Sequence, residues 1–185
     1  MRENFHPDLE FRKVTSPNNV TDVVRLAQII WRAHYTPIIG TTQVEYMLSL
    51  FQSEKVIAEQ IQKGYEYYTV RSKDKLTVYF AIAPDLQTHS VILSKIYILP
   101  EHQGRGIGKA VINFVKHRSD TLDCQTVRLT VNRNNSSSIA FYKKVGFMVE
   151  YEKSTDIGNG FVTDDFIMVY KPGSVNFSKR QENHA

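Results

Sequence analysis

A glycine-rich loop between an apolar strand pattern and a helical pattern constrains the fold of this chain more than any other feature. The stretch LPEHQGRGIGKAVINF, residues 99–114, opens on a Leu-Pro step, places three glycines at alternate positions and continues with apolar residues along one helical side. Amides at a helix N-terminus point outward, and the helix dipole favours negative charge there. The pattern therefore predicts a phosphate-binding turn inside a strand-loop-helix-strand crossover.

Two common phosphate-binding loops do not fit this spacing. A Walker-A loop needs Gly, four residues and then Gly-Lys-Ser/Thr, whereas here the Gly-Lys pair is followed by Ala110 and Gln103 stands where the first glycine belongs. The dinucleotide fingerprint G-x-G-x-x-G fails because Gly104 and Gly106 are followed by Gly108, and because the loop comes late in the chain. What remains is a Gln-x-x-Gly-x-Gly loop.

The rest of the chain predicts one domain of the mixed α/β (α+β) class. Its periodicities give a strand, two helices, three strands, a helix, a strand, a helix and two strands. We expect a central, mostly antiparallel, mixed sheet of roughly six to seven strands flanked by about four helices, over residues 9–172. The polar residues 173–185 have no period and predict a disordered tail.

Several local patterns predict where the first helices begin and end. The first helix is expected over residues 21–34, because Pro37 lacks an amide proton and should interrupt it. Thr42 with Glu45 matches a capping box for a second helical region. That region should close at Gly64, in the position after the helix C-cap.

Composition limits the classes of partner and compartment. The net charge is +4 with a pI near 9.1, but no run of five or six basic residues occurs, so a nucleic-acid-binding surface is not favoured over a site for a small anionic ligand. No segment has the apolar length of a signal peptide or a membrane span, and no metal site is expected. The single Cys124 predicts an inert structural thiol and a cytoplasmic protein.

The glycine loop resembles the acetyl-coenzyme A pyrophosphate loop of the GNAT superfamily of N-acetyltransferases. A second stretch, VNRNNSSSIAFYKKVGF, is similar to the second signature of that family, in which a strand, an Asn, a short helix with a Tyr and a Gly-Phe pair follow one another. The resemblance is close over residues 94–147, and the order of elements extends it to residues 9–171. It implies a GNAT fold, acetyl-CoA as co-substrate, and acetyl transfer to a primary amine of a small molecule or peptide.

The resemblance also implies which residues bind the cofactor. The end of the long strand would pair with the pantetheine arm as an added strand, and the loop amides would bind the pyrophosphate, with charge added by Arg105 and Lys109. Asn135 would meet the arm while capping its helix. The implied cofactor-binding residues are Ile96, Tyr97, Ile98, Gln103, Gly104, Arg105, Gly106, Ile107, Gly108, Lys109 and Asn135.

Tyr142 is the implied catalytic residue, since it matches the family tyrosine near the sulfur of the cofactor. Thioester aminolysis needs a neutral amine, stabilisation of an oxyanion and a proton for the leaving thiolate. A phenol can supply that proton, and a backbone amide near Ile98 can stabilise the oxyanion. The alternative role for Tyr142 is a half-buried aromatic of the core.

The general base is left open by the sequence. Several family members carry a Glu on the long strand, but the corresponding VILSKIYIL has no acid. A water relay remains, or a base from elsewhere: Glu150, Asp164, Asp165 or His34.

Acceptor specificity is expected from the segment after the first helix and from the last two strands, which flank the acceptor cleft in the family. Tyr35, Asp164 and Asp165 are the candidate substrate residues, and the two acids suit a cationic amine such as a polyamine. Two other functions stay open: a CoA-binding module without turnover, and a nucleic-acid-binding domain suggested by the pI alone. Many family members also form homodimers through the final strands.

Overall fold

The helices and strands of the computed structural model, which describes residues 5–172, follow the predicted order, except that the second helical region is two helices. The strands are β1 (Leu9–Lys13), β2 (Glu66–Ser72), β3 (Lys75–Asp85), β4 (Ser90–Ile98), β5 (Thr126–Asn132), β6 (Met148–Gly158) and β7 (Phe161–Tyr170). The helices are α1 (Pro17–Ile39), α2 (Thr41–Phe51), α3 (Glu54–Gln62), α4 (Ile107–Thr121) and α5 (Ser136–Lys144), with a short 3-10 turn at Pro100–His102.

A single seven-stranded sheet in the order β1-β2-β3-β4-β5-β7-β6 organises these elements. All neighbouring strands are antiparallel except β4 and β5, which are parallel and joined by α4. Apolar side chains of α1, α2 and α3 pack on one face of the sheet, and those of α4 and α5 pack on the other. The predicted mixed α/β class with a mostly antiparallel sheet is confirmed.

A β-bulge in β4 shifts the alternation of side chains between the two faces of the sheet by one residue. Ala81 of β3 pairs with Lys95, but the next residue, Ile82, pairs with Leu93, so Ser94 is an extra residue on β4. Because side chains alternate along a strand, one extra residue exchanges the two faces. Leu93 before the bulge and Ile96 after it therefore pack into the same core, under α4 and α5.

The predicted limits of α1 are wrong at both ends. The helix begins earlier than residue 21, because Ser16 is the N-cap and accepts a hydrogen bond from the amide of Asn19, with Pro17 in the first turn where a missing amide costs nothing. Pro37 lies inside the helix and not after it. A proline removes only one helical hydrogen bond, and the helix continues until Gly40, whose φ of 80° ends it.

The predicted capping box at the start of α2 is also wrong. Gly40 is the N-cap and no side chain caps the helix. Glu45 instead accepts two hydrogen bonds from Arg32 of α1, at 2.7 and 3.0 Å, and so ties α2 to α1. The predicted end of the helical region at Gly64 is confirmed, with φ of 92° directly after the C-cap of α3.

Cys124 is buried, and burial raises the pKa of its thiol, as expected of an inert structural cysteine. Within residues 5–172 no helix is long and apolar enough to cross a membrane, and no group of three or more side chains could hold a metal ion. The predicted disordered tail, residues 173–185, lies outside the described residues.

Glu66, at the start of β2, is a buried carboxylate that connects β1, β2 and α4. It accepts two hydrogen bonds from Arg118 at 2.7 and 2.9 Å, one from Lys13 at 2.9 Å and one from the Tyr68 hydroxyl at 2.7 Å. Burial alone would raise the pKa of Glu66, but these hydrogen bonds and the charge of Arg118 outweigh it and lower the pKa to about 2. Ionised Glu66 therefore stabilises the folded chain.

We expect Glu66→Gln to lower the free energy of unfolding by about 2 to 3 kcal/mol at pH 7, because it leaves two cations without their carboxylate. Urea unfolding measures this difference. Since the folded pKa is depressed, the stabilisation is complete above the unfolded pKa, and the difference between the two proteins should shrink as the pH falls from about 4.5 toward 2. Glu59→Gln, which removes only the exposed pair with Lys55, is the control and should cost less than about 0.5 kcal/mol. Equal losses for the two variants would contradict the account.

Candidate active site

The two parallel strands β4 and β5 separate half-way along their length and leave a gap in the sheet. They pair only from Ser90 with Thr126 to Leu93 with Leu129, up to the residue before the bulge. Beyond it, the facing edges at residues 94–98 and 130–132 do not pair with each other. Unpaired strand edges offer amides and carbonyls to an extended ligand, as required for β-augmentation by a pantetheine arm.

The glycine loop lies at the end of β4 and is fixed to it. The side-chain amide of Gln103 donates a hydrogen bond to the carbonyl of Ile98 at 3.2 Å. Gly104 and Gly106 have φ of 74° and 81°, values that favour glycine, and a Cβ at either position would meet nothing within 4 Å. The glycines are therefore needed for the path of the backbone, and the space around them is open.

The first turn of α4 forms the wall of the loop. Gly106 is its N-cap, and no side chain accepts a hydrogen bond from the first amides of the helix. The Ile107 side chain is buried in the core, so only its backbone is available to a ligand. Gly108 is needed for close packing, because a Cβ there would lie 3.1 Å from Phe141 of α5. Uncapped amides with the exposed Arg105 and Lys109 beside them fit a pyrophosphate.

Asn135 is the N-cap of α5, as predicted. Its Oδ1 accepts hydrogen bonds from the amide of Ser138 and the hydroxyl of Ser137, both at 3.1 Å. Its Nδ2 lies 3.4 Å from Nε2 of His34. Asn135 is buried and connects the start of α5 to the last turns of α1.

Tyr142 of α5 approaches the gap from the side of α4 and α5. Its side chain is 7% exposed and its ring lies against Phe141 and Phe147. The Tyr142 hydroxyl forms no side-chain hydrogen bond within residues 5–172. Every fully buried side-chain oxygen in those residues has a hydrogen-bond partner, so the Tyr142 hydroxyl must keep some accessible surface. Burial, and then the neighbouring Tyr35, raise the pKa of Tyr142 well above its usual value, which keeps the phenol protonated.

An aromatic wall, formed by Trp31, Tyr35, Tyr79 and Tyr97, packs on the other face of the sheet, where Trp31 and Tyr79 are buried and Tyr35 and Tyr97 keep some exposed surface. The ring centroids of Trp31 lie 4.9 Å from Tyr35 and 5.4 Å from Tyr97, and Tyr79 lies 5.1 Å from Tyr97. The Trp31 indole donates a hydrogen bond to the Tyr79 hydroxyl at 3.2 Å. Burial and the charge of Asp165 raise the pKa of Tyr35 to about 12.

The two candidate acids of β7 do not act as a pair. Adjacent residues of a strand point to opposite faces, and Asp165 is half-buried beside Tyr35 whereas Asp164 is exposed and accepts a hydrogen bond from Ser154 of β6. The pKa of Asp165 is raised by burial and by the nearby charge of Asp164, against a lowering hydrogen bond from Thr163. Of the two acids, only Asp165 lies beside the aromatic wall.

The comparisons with known proteins identify the family. The profile described as the acetyltransferase (GNAT) family matches residues 25–147. This chain belongs to the GNAT acetyltransferases. It is therefore an acyl-CoA-dependent N-acetyltransferase that uses acetyl-CoA as co-substrate and an amine as acceptor.

Three relatives cover most of the chain. A spermidine N(1)-acetyltransferase of Thermoplasma acidophilum is 25% identical over 80% of this chain and 93% of its own length. The crystal structure of the PaiA N-acetyltransferase of the same organism with coenzyme A is 23% identical, has a TM-score of 0.74 and covers 88% of this chain and 98% of its own. Spermidine N-acetyltransferase of Vibrio cholerae, solved with CoA and spermine, is 19% identical with a TM-score of 0.67, covering 90% and 96%. The last two show the shared GNAT fold.

Of the four candidate bases of this acetyltransferase, two lie at the gap. Glu150 binds Arg128 at 3.0 Å, and this hydrogen bond lowers the pKa of Glu150, which makes it a poor base. Asp164 faces away from the aromatic wall. The two at the gap are His34, which contacts Asn135, and Asp165, whose charge affects the pKa of Tyr35. Burial lowers the pKa of His34, which favours the neutral imidazole at pH 7.

Sequence reasoning assigned no role to Lys95, which follows the bulge. Its ammonium is buried, donates a hydrogen bond to Oε1 of Gln60 at 3.2 Å and lies 5.6 Å from the centre of the Tyr67 ring. Burial lowers the pKa of Lys95 to about 8. The sequence feature that could have indicated Lys95 is a charged residue within an otherwise apolar strand, where the alternation of side chains between the two faces shifts by one residue.

Replacing Gly106 by Ala should raise the dissociation constant of coenzyme A about tenfold, because a side chain at this φ strains the backbone that holds the first amides of α4. Isothermal calorimetry with CoA measures this change. The matched control is Gly64→Ala, which has the same positive φ and the same open surroundings at the end of α3, away from the loop. Unchanged affinity in the Gly106 variant would remove the loop from the cofactor site.

Proposed function

We propose that this acetyltransferase transfers the acetyl group to a terminal primary amine of a small polycation of the polyamine class. The observation that carries the proposal is Asp165, a half-buried carboxylate opposite Asn132 at the end of β5 that is not paired with β4, and its charge adds to burial in raising the pKa of Tyr35. In the described part of the chain no lysine or arginine forms an ion pair with it. Against the rise that burial causes, the charge of its cross-strand neighbour Lys153 lowers the pKa of Asp165, but no ion pair joins the two. A partly desolvated carboxylate with no ion pair favours a cationic ligand.

The aromatic wall supports the same class of acceptor. Aromatic faces attract ammonium groups, and methylene segments between them gain by leaving water. Tyr35 belongs both to this wall and to the surroundings of Asp165. An alkyl chain with ammonium groups at intervals matches an apolar surface with one anionic group.

The relative from Thermoplasma acidophilum named as a spermidine N(1)-acetyltransferase supports a polyamine-type acceptor at 25% identity over most of both chains. The alternative of a CoA-binding module without turnover has one supporting feature, the lack of an acid on β4. His34, a candidate base beside Asn135, supports turnover without an acid on β4.

Each element of the site has a chemical task in this proposal. Acetyl-CoA supplies the activated acetyl group, held by the open edge of β4 at residues Ile96, Tyr97 and Ile98 and by the amides at the start of α4. Tyr142 delivers its hydroxyl proton to the leaving sulfur. Asp165 binds a distal ammonium of the acceptor, which places a second amine at the reaction centre.

Asp165→Asn should raise the KM for spermidine about tenfold with a small change in kcat, since it removes a charge that binds the acceptor equally in ground and transition states. Steady-state release of free thiol from acetyl-CoA measures both constants. The control is Asp164→Asn, which removes an adjacent charge on the opposite face and should leave KM within about twofold.

The pH profile gives a second measure of the same carboxylate. Burial raises the pKa of Asp165, so it loses its charge at a higher pH than an exposed aspartate as the solution is acidified. Spermidine affinity should therefore decline in the acid range for the wild type and not for Asp165→Asn. Equal KM values for the two Asn variants would exclude Asp165 as the acceptor anchor.

Tyr142→Phe should lower kcat about a hundredfold and leave the dissociation constant of CoA within about twofold, because only the proton donor is removed from a ring that stays packed. Stopped assays and calorimetry measure the two quantities, with circular dichroism to verify the fold. Tyr151→Phe, at an exposed tyrosine of β6, is the matched control. Full turnover by the Tyr142 variant would return this residue to a purely structural role.

A further inference from the structure

Helix α2 touches the turn between β6 and β7 through one side chain. The hydroxyl of Tyr46 donates a hydrogen bond to the carbonyl of Ile157 at 2.9 Å, and its ring centroid lies 5.6 Å from that of Phe161. Tyr46 and Ile157, which form this hydrogen bond, are 111 positions apart in the chain. We call the contacts of Tyr46 with Ile157, Gly158 and Phe161 the Tyr46 bridge.

The hairpin is shaped to receive this phenol. A Cβ on Gly158 would lie 2.9 Å from the Tyr46 hydroxyl oxygen, and its φ of 85° also favours glycine. The Asp156 carboxylate accepts a hydrogen bond from the Gly158 amide at 2.8 Å and fixes the turn. The residue at position 158 therefore allows the phenol to approach the backbone.

The Tyr46 bridge joins α2 to the β6–β7 hairpin, and each of these is connected to an element of the proposed acceptor cleft. On one side, the two hydrogen bonds from Arg32 to Glu45 fix α2 against α1, which carries Tyr35. On the other side, β7 carries Asp165 and begins at the hairpin. The Tyr46 bridge therefore links the helix fixed to the Tyr35 side with the hairpin from which the Asp165 strand begins.

We propose that the Tyr46 bridge makes the acceptor cleft a covered passage that admits slender, unbranched amines and excludes bulky ones. This inference rests on the proposed function, because it concerns the acceptor of that same site. A polymethylene amine can enter end-on without disturbing the bridge. A branched or ring-based amine has to separate Tyr46 from the hairpin, which breaks its hydrogen bond and its aromatic contact.

Two variants should open the passage by different routes. Tyr46→Ala removes the bridge, and Gly158→Ala pushes the phenol away from the turn. We expect both to raise kcat/KM for an aminoglycoside and for a lysine-containing hexapeptide about tenfold relative to spermidine. Tyr46→Phe, which keeps the ring and loses the hydrogen bond, should give an intermediate ratio. Gly160→Ala, with a similar φ of 75° and open surroundings in the same turn, is the control and should keep the wild-type ratio.

Calorimetric binding of the same amines to the CoA-loaded protein distinguishes the two ways in which these ideas can fail. Wild-type protein that neither binds nor acetylates spermidine overturns the proposed function. Wild-type protein that acetylates spermidine and accepts the aminoglycoside or the peptide equally well overturns the bridge alone. An unchanged acceptor ratio in both Tyr46→Ala and Gly158→Ala, with normal CoA affinity, also overturns it.

Discussion

The single extra residue in β4, Ser94, is the feature on which the site depends. By shifting the register against β3, it exchanges the faces of all following side chains, so that Tyr97 lies with the aromatic wall while Ile96 and Ile98 remain in the other core. Pairing between β4 and β5 stops at the residue before it. One insertion therefore accompanies both the unpaired edge proposed for the cofactor and the aromatic surface proposed for the acceptor.

The gap also explains how Tyr142, the proposed proton donor, can be so deeply buried and still face a ligand. Tyr142 packs in the core under α4 and α5, yet its pKa is affected by Tyr35, which lies on the opposite side of the sheet. In a continuous sheet the backbone would separate these two groups. The opening lets a residue fixed by core packing face a ligand between the two layers, and rigid packing is what orients a proton donor.

The features that sequence reasoning found are those with local causes. Gly106 requires a positive φ and Asn135 caps its helix, and both follow from a few neighbouring residues. The bulge at Ser94 and the face of the sheet to which Asp165 belongs depend on pairing with distant strands, which no local pattern encodes. The prediction for Pro37 was wrong because the low helix propensity of proline was taken to end the helix. Packing of α1 outweighs the one hydrogen bond that this proline removes.

Lys95 shows how the same bulge disfavours an ionised acid on this part of β4. Lys95 is the first residue after the insertion and faces α3, where Gln60 accepts its hydrogen bond. Burial lowers the pKa of Lys95 to about 8, which shows that its surroundings disfavour a charged group. An ionised carboxylate at this position would carry the same desolvation cost without a cation beside it. The proton acceptor must then come from outside β4, from groups that remain partly solvated. His34 on α1 meets that condition, and α1 also carries Tyr35, so the candidate base and one residue of the proposed acceptor site share a helix.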